Sequence, residues 1–261
     1  MPELPEVEIY TRYFQHHALR QPIARVQVRD ERVLGATRKE KLVRALKGKS
    51  FKRVARHGKH LFADAGAEWV HLHFGMSGDL GYYRDASDEP RFARVVFDFR
   101  NGAHLAFEDM RLFGIVELTP SPGVYVAEHH LGPDPLDSSF TLARFRNLLE
   151  GRRGAIKALL MSQEILAGIG NLYSDETLFQ TAIHPRRPVD RVKPEEVKAM
   201  FTAMRRILRD VIARRQKGRD VPQKYLIAHR EEGDRCPLCG GTIKRTAVMS
   251  RTTYFCGRHQ K

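Results

Sequence analysis

The sequence predicts an α+β protein: a β-rich N-terminal half, a helix-rich segment, and a small cysteine-bearing hairpin at the C-terminus. Three observations carry this. Residues 23–120 read as short β-type runs, residues 141–217 as helices, and the only three cysteines fall in the last 26 residues. The β-rich half is expected to be a two-layer antiparallel sandwich or flattened barrel, because its runs are short and separated by turn signals such as Asn101-Gly102.

Taken in order, Pro5 to about Leu19 has helical apolar spacing at Val7, Tyr10, Tyr13 and Phe14. The β-type runs include IARVQV, FKRVARHGKHLFADA, EWVHLHF, RFARVVFDF, AHLAFED and FGIVEL. Gly and Pro cluster in LGPDPLDSSF at 131–140, which marks a boundary. Helical texture follows in LARFRNLLEG, RGAIKALLMS, NLYSDETLFQTA and a long basic segment opened by Pro194, with Glu195 and Glu196 in its first turn. Short strands around the cysteines finish the chain. The expected organisation is 1–130 (helix plus β-sandwich), 131–220 (helical) and 221–261 (cysteine module).

Lys+Arg 45 against Asp+Glu 31 gives a net charge of +14, which calls for a polyanionic partner, nucleic acid before membrane surface. No apolar run approaches the ~20 residues of a membrane span, and the N-terminus lacks a signal-peptide pattern. A cytoplasmic protein is expected, nucleoid-associated if the source is bacterial. Three late cysteines do not make a disulfide framework.

The chain opens Met1-Pro2-Glu3-Leu4-Pro5-Glu6-Val7-Glu8. Removal of Met1 would leave Pro2 with a free secondary amine, and an α-amino group of ordinary pKa near 8 is partly nucleophilic at neutral pH. Its attack on an aldehyde-level carbon yields an iminium, an electron sink that acidifies neighbouring C–H bonds. Glu3 stands beside it as a general acid if burial keeps it protonated. The same residues also suit a plain helix start, with Pro in the first turn and carboxylates facing the helix dipole.

Cys236-Pro-Leu-Cys239 followed by Cys256-Gly-Arg-His259 has the spacing C-x2-C-x16-C-x2-H, which suits four tetrahedral ligands on two turns of a short hairpin. One structural zinc ion is expected there, held by Cys236, Cys239, Cys256 and His259. Arg251 lies on the hairpin this metal would stiffen, well placed to clamp a phosphate.

Two further constellations stand out. Gly168-Ile-Gly170-Asn171 leads into an apparent helix start whose N–H groups could receive a phosphate, although a plain helix–helix turn fits equally well. HFGMSG at 73–78 and DMRLFG at 109–114 sit where β texture meets glycine-permitted turns. Met76, Arg111 and Phe113 then supply an apolar wedge, a guanidinium and a flat ring suited to entering a duplex; core packing is the ordinary alternative for Met76 and Phe113. Lys59 and Lys157 are basic residues close to glycines.

Together these motifs resemble the formamidopyrimidine-DNA glycosylase/endonuclease VIII family nearly end to end. PELPEVE is similar to the start of the formamidopyrimidine-DNA glycosylase branch. HFGMSG, LGPDPL, GIGNLYSDETLF, Ile183-His-Pro185 and the cysteine module follow in family order. The resemblance implies an N-terminal β-sandwich, a helix–two-turns–helix domain and a C-terminal zinc finger, with duplex DNA held between domains; one such cleft needs no second subunit, so a monomer is expected. It further implies Pro2 as nucleophile at C1′ and Glu3 as proton donor to the sugar ring oxygen. Lys59 and Arg251 would grip phosphates flanking the lesion, and His73, Asn171 and Lys157 would contact DNA. Met76, Arg111 and Phe113 would fill the gap left by the everted base, Arg111 facing the orphaned partner.

The implied activity is a bifunctional DNA glycosylase/AP lyase of base excision repair, acting on oxidised purines through a proline iminium and β,δ-elimination. The alternatives are an endonuclease VIII-like enzyme for oxidised pyrimidines, a family member that binds DNA without catalysis, and a zinc-dependent RNA-binding module. Three departures bear on the choice. His259 stands where the family usually has Cys, DMRLFG replaces the usual DPRRFG, and the stretch Arg215–Arg235 is short where purine-specific members carry a lesion-capping loop.

Overall fold

Pro5 and the flanking carboxylates start a helix, and α1 (Leu4–Ala18) begins with Glu3 as its N-cap. Glu6 Oε2 accepts the Glu3 N–H at 3.0 Å, so one orphan donor of the first turn is satisfied by a residue inside it. The ordinary helix-start reading of the opening residues is therefore realised, whatever chemistry Pro2 and Glu3 also perform. Val7, Phe14 and Ala18 form the buried stripe of α1.

The structure is a computed structural model describing residues 1–261, and it comprises two units, Met1–His130 and Leu131–Lys261. After α1 the first unit runs through β1 (Ile23–Val28), α2 (Lys39–Leu46), β2 (Val54–His57), β3 (His60–Asp64), β4 (Trp69–His73) and β5 (Gly78–Tyr83). It ends with β6 (Ala93–Phe99), β7 (His104–Asp109), β8 (Ile115–Thr119) and α3 (Pro122–Glu128). Two four-stranded antiparallel sheets result, ordered β1-β6-β7-β5 and β2-β3-β4-β8.

Alternation decides which side chains face the core. Leu61, Ala63, Val70 and Leu72 from one sheet join Val26, Val95, Phe97, Leu105 and Phe107 from the other in one buried cluster, which α1 completes. The α+β class and the antiparallel sandwich are as expected. The first unit nevertheless holds two further short helices, one inside the β-rich stretch and one just after it, that strand patterning does not reveal. In α2, Leu42 and Leu46 are one helical turn apart and both buried. α3 is opened by Ser121, whose Oγ accepts the Val124 N–H at 3.2 Å, with Pro122 in its first turn.

The second unit contains α4 (Leu142–Leu149), α5 (Ile156–Met161), α6 (Asn171–Gln180), α7 (Pro194–Arg215) and the hairpin of β9 (Ile243–Val248) with β10 (Arg251–Cys256). Thr141 caps α4, and Glu196 Oε2 accepts the Lys193 N–H at the start of α7. Met200, Met204, Ile207, Leu208 and Val211 give α7 its buried stripe. α6 is buried on every side, Ser174, Asp175, Glu176 and Thr177 included. Burial of that many polar groups requires partners, and those partners build the site.

Candidate functional site

Two sets of predicted residues form, one in each unit. In the first, Pro2 is half-buried and Glu3 is buried at the head of α1. Glu8, one turn on, accepts from Arg56 Nε at 2.9 Å, and Arg56 Nη1 donates to the Gly58 carbonyl at 3.1 Å. Arg56 thus ties α1 to the β2–β3 turn that carries the buried Lys59. Nothing in the sequence singles Arg56 out, because its value lies in a pairing 48 residues away.

His73 ends β4, and its Nδ1 accepts the Gly75 N–H at 3.3 Å, which leaves the proton of the neutral ring on Nε2. Burial, with His71 and Lys59 nearby, lowers its pKa to about 4, so the ring is uncharged at neutral pH. Five of the chain's twelve histidines gather here: His57, His60, His71, His73 and, just past the end of α3, His129. His60 Nδ1 lies 2.9 Å from His71 Nε2, and His71 Nδ1 lies 3.2 Å from Glu117 Oε1. Glu117 therefore orders the pair: His71 donates to the carboxylate and accepts from His60.

The loops HFGMSG and DMRLFG pack against each other around Asp109, which is fully buried. Asp109 Oδ1 accepts from Ser77 Oγ at 2.5 Å and from Arg111 N–H at 3.1 Å, while Oδ2 accepts from Gly114 N–H at 2.6 Å. Gly75 has φ +53°, and a Cβ there would overlap the Phe113 backbone carbonyl, so the close approach itself requires glycine. Leu112, at φ +58°, turns the chain sharply between Arg111 and Phe113. Met76 and Phe113 are 42% and 55% exposed, so core packing fails for both; Arg111 is exposed with its guanidinium 5.3 Å from the Phe113 ring. Asp109 lies within a quoted motif, and a buried Asp followed by several loop N–H groups is the signal that could have identified it.

In the second unit the expectation for Lys157 is corrected. Lys157 is 0% exposed, so its ammonium has no path to an external phosphate. Its Nζ lies 2.6 Å from Asp175 Oδ1 and donates to Asn171 Oδ1 at 2.7 Å and to Thr253 Oγ1 at 2.6 Å. Asp175 Oδ2 accepts from Arg230 Nη1 at 2.8 Å and from the Tyr254 N–H at 3.2 Å. Asn171 Nδ2 donates to the Thr252 carbonyl at 2.9 Å. A buried cation–anion core thus binds the start of α6 to β10, the strand that begins with the exposed Arg251. Asp175 and Arg230 join Arg56 and Asp109 as residues that sequence reasoning missed.

Neighbouring Glu176 accepts the Ile227 N–H at 2.8 Å, and burial pushes its pKa up to about 7. Tyr225 and Leu226 are buried, and Tyr225 donates to Asp210 Oδ2 at 3.0 Å. The short stretch before the cysteines is thus packed onto α6 and α7.

Three of the four expected metal ligands converge: the sulfurs of Cys236, Cys239 and Cys256 lie within 4.8 Å of one another. His259 does not join that cluster. Its ring packs on Phe179 at 5.0 Å between centroids, and its Nε2 lies 2.8 Å from the Phe179 carbonyl oxygen. A donated Nε2–H leaves Nδ1 as the unprotonated nitrogen, the tautomer that ligating histidines adopt when a carbonyl holds their other N–H. Three clustered sulfurs suit a soft cation such as zinc.

A strongly basic chain that presents a guanidinium, a thioether and an aromatic ring at exposed loop tips suits a nucleic-acid partner. Its class is that of the DNA glycosylases, DNA-binding repair enzymes. Residues 1–116 match the formamidopyrimidine-DNA glycosylase N-terminal domain, and residues 131–222 match the formamidopyrimidine-DNA glycosylase H2TH domain. The formamidopyrimidine-DNA glycosylase of Moorella thermoacetica is 36% identical over 94% of this chain and 94% of its own. That of Chloroflexus aurantiacus is 32% identical over 98% of this chain and 96% of its own. The solved Lactococcus lactis enzyme in complex with abasic-site DNA superposes with a TM-score of 0.89 at 26% identity, covering 99% of both chains. The chain belongs to the formamidopyrimidine-DNA glycosylase family.

Proposed function

We propose that the protein is a bifunctional DNA glycosylase/AP lyase that removes oxidised purines from duplex DNA. The observation that carries the reading is the Pro2–Glu3 pair at the head of α1, with Glu3 buried. Once Met1 is removed, the neutral Pro2 nitrogen bonds to C1′ as the glycosidic C1′–N bond breaks and its N–H proton leaves with the base. Glu3 then gives its proton to the sugar ring oxygen as the C1′–O4′ bond breaks and the nitrogen lone pair forms the C1′ iminium. The resulting iminium accepts the electron pair released when a C2′ proton departs, and the 3′ phosphate leaves by β-elimination. A second proton loss expels the 5′ phosphate by δ-elimination. Lys59 and Arg251 hold the flanking phosphates, and His73 adds a neutral Nε2–H donor. Asn171 offers its second Nδ2 hydrogen. Met76, Arg111 and Phe113 occupy the space left by the everted base.

Cys236, Cys239 and Cys256 would hold one structural zinc ion, with Nδ1 of His259 as the fourth donor; such an ion would stiffen the base of the β9–β10 hairpin. Support for the substrate comes from the relatives' name and from the abasic-site DNA bound by the Lactococcus lactis enzyme. A preference for oxidised pyrimidines is the second reading. The packing of Tyr225 and Leu226 against the helices favours it, because this stretch is where purine-specific members carry their capping loop.

The test is borohydride trapping on duplexes carrying an abasic site, 8-oxoguanine opposite cytosine, or an oxidised pyrimidine. An adduct at Pro2 with 8-oxoguanine ranked above the pyrimidine supports the proposal, and the reverse ranking supports the second reading. No adduct on any duplex, with Met1 absent and duplex binding intact, makes the protein a catalytically silent binder.

A further inference from the structure

The β9–β10 hairpin combines a braced stalk with a strained, exposed tip. Its register pairs Val248 with Arg251, so the whole connection is Met249-Ser250. Both residues lie in the left-handed region, Met249 at φ +47° and Ser250 at φ +59°. A two-residue hairpin loop with both φ values positive is normally Asn-Gly or similar, because a Cβ is disfavoured there. Non-glycine residues in that region cost on the order of 1 kcal/mol each, and such outliers concentrate where function holds them. Met249 is also the most exposed large apolar side chain in the molecule, at 70%.

The stalk, by contrast, is pinned along its length. Arg186 Nη2 donates to the Ala247 carbonyl at 3.0 Å, Asn171 Nδ2 to the Thr252 carbonyl, Lys157 Nζ to Thr253 Oγ1, and the Tyr254 N–H donates to Asp175. His184 packs edge-on against Phe255. The tip is therefore carried at a fixed height above α6. From Ile243 to Cys256 the hairpin bears Lys244, Arg245 and Arg251 and no acidic residue, so its charge favours a polyanion. Turn stability does not explain Met249, burial does not explain it, and Arg251, the proposed phosphate clamp, directly follows the turn.

We propose that Met249 is a DNA-contacting residue whose thioether seats in the minor groove beside the phosphate gripped by Arg251. Apolar wedges at the tips of basic elements are how proteins enter that groove, and an unbranched Met adapts to its floor without demanding a base sequence. The inference rests on the DNA glycosylase reading. It adds a sequence-tolerant contact outside the gap-filling set of Met76, Arg111 and Phe113.

The test replaces the tip with a strain-free turn, Met249→Asn together with Ser250→Gly, and compares it with Met249→Leu. Binding is measured on a duplex carrying a tetrahydrofuran abasic analogue. The relaxed turn is expected to raise the thermal midpoint by about 2–6 °C while weakening binding about tenfold, with an unchanged slope of log affinity against log salt because no charge is lost. Met249→Leu keeps the wedge and should bind within about threefold of the parent. Gain of stability with unchanged affinity would overturn the proposal. So would a loss of affinity accompanied by a shallower salt slope, since that would mean Arg251 had moved. Borohydride trapping of the parent protein separates these outcomes from a failure of the glycosylase reading itself.

Discussion

Lys157 and Asp175 form an ion pair at 2.6 Å with neither side chain exposed, and that pair joins α6 to the strand bearing Arg251. A buried pair tolerates loss of one partner poorly, because the other charge is left without compensation. Lys157→Met should therefore cost about 3–5 kcal/mol in a denaturant titration. The salt slope of duplex binding should not change, whereas loss of a phosphate ligand would lower it by about one. A lowered slope would return Lys157 to the DNA surface.

The N-terminal amine yields a second expectation. Pro2→Gly retains a primary amine and should still be trapped weakly by borohydride on abasic DNA, whereas a protein that keeps Met1 should not be trapped at all. Glu3→Gln should slow base release by about 10²–10⁴-fold yet leave trapping at a preformed abasic site, where no base needs to depart. Full activity in protein verified by mass to retain Met1 would refute the iminium.

Asp109 holds three donors of the Met76 and Arg111 loops. Asp109→Ala leaves buried N–H groups unpaired and should destabilise the protein by about 3 kcal/mol. Because the loop tips lose their support, preference for abasic over undamaged duplex should fall in a competition assay. Unchanged preference would show that the loops hold their shape without it.

Acid should weaken the first unit. The pKa values of His60, His71 and His73 are all lowered by burial, and they face Glu117, Tyr125, His57, His129 and Lys59. An unfolded histidine takes a proton near pH 6.5 that the folded ring refuses until about 4 at His73. Unfolded chains thus bind more protons in that window, so stability is fully present above it and is lost as pH falls through it. The thermal midpoint should drop between pH 6.5 and 4, and His60→Phe should flatten that slope.

Metal removal should act through the hairpin. Chelation is expected to lower the thermal midpoint and abolish trapping, with both restored by added zinc. His259→Ala should reduce metal affinity in competition with a chromogenic chelator, and His259→Cys should retain it. Equal affinity in the Ala variant would exclude His259 as the fourth donor.

Local chemistry carried much of this protein in its sequence. Pro2-Glu3, the cysteine spacing, the hairpin-forming β runs and the Pro194-Glu195-Glu196 helix start depend on residues a few positions apart, where geometry follows from covalent connection. The fold class and the motif order could be read for that reason. α2 and α3 were hidden because each offers only a turn or two of pattern, α2 inside the β-rich stretch and α3 directly after it. What tertiary structure alone decided are the long-range pairings. Lys157 looks like any exposed lysine until Asp175 and Thr253 surround it, and His71 looks like a strand residue until the β3–β4–β8 register sets it between His60 and Glu117. His259 matches a ligand spacing, but only the Phe179 carbonyl that takes its Nε2–H decides that Nδ1 is the nitrogen left to ligate. Desolvation and hydrogen-bond partners belong to the folded surroundings rather than to the residue, so they become visible only when distant segments meet.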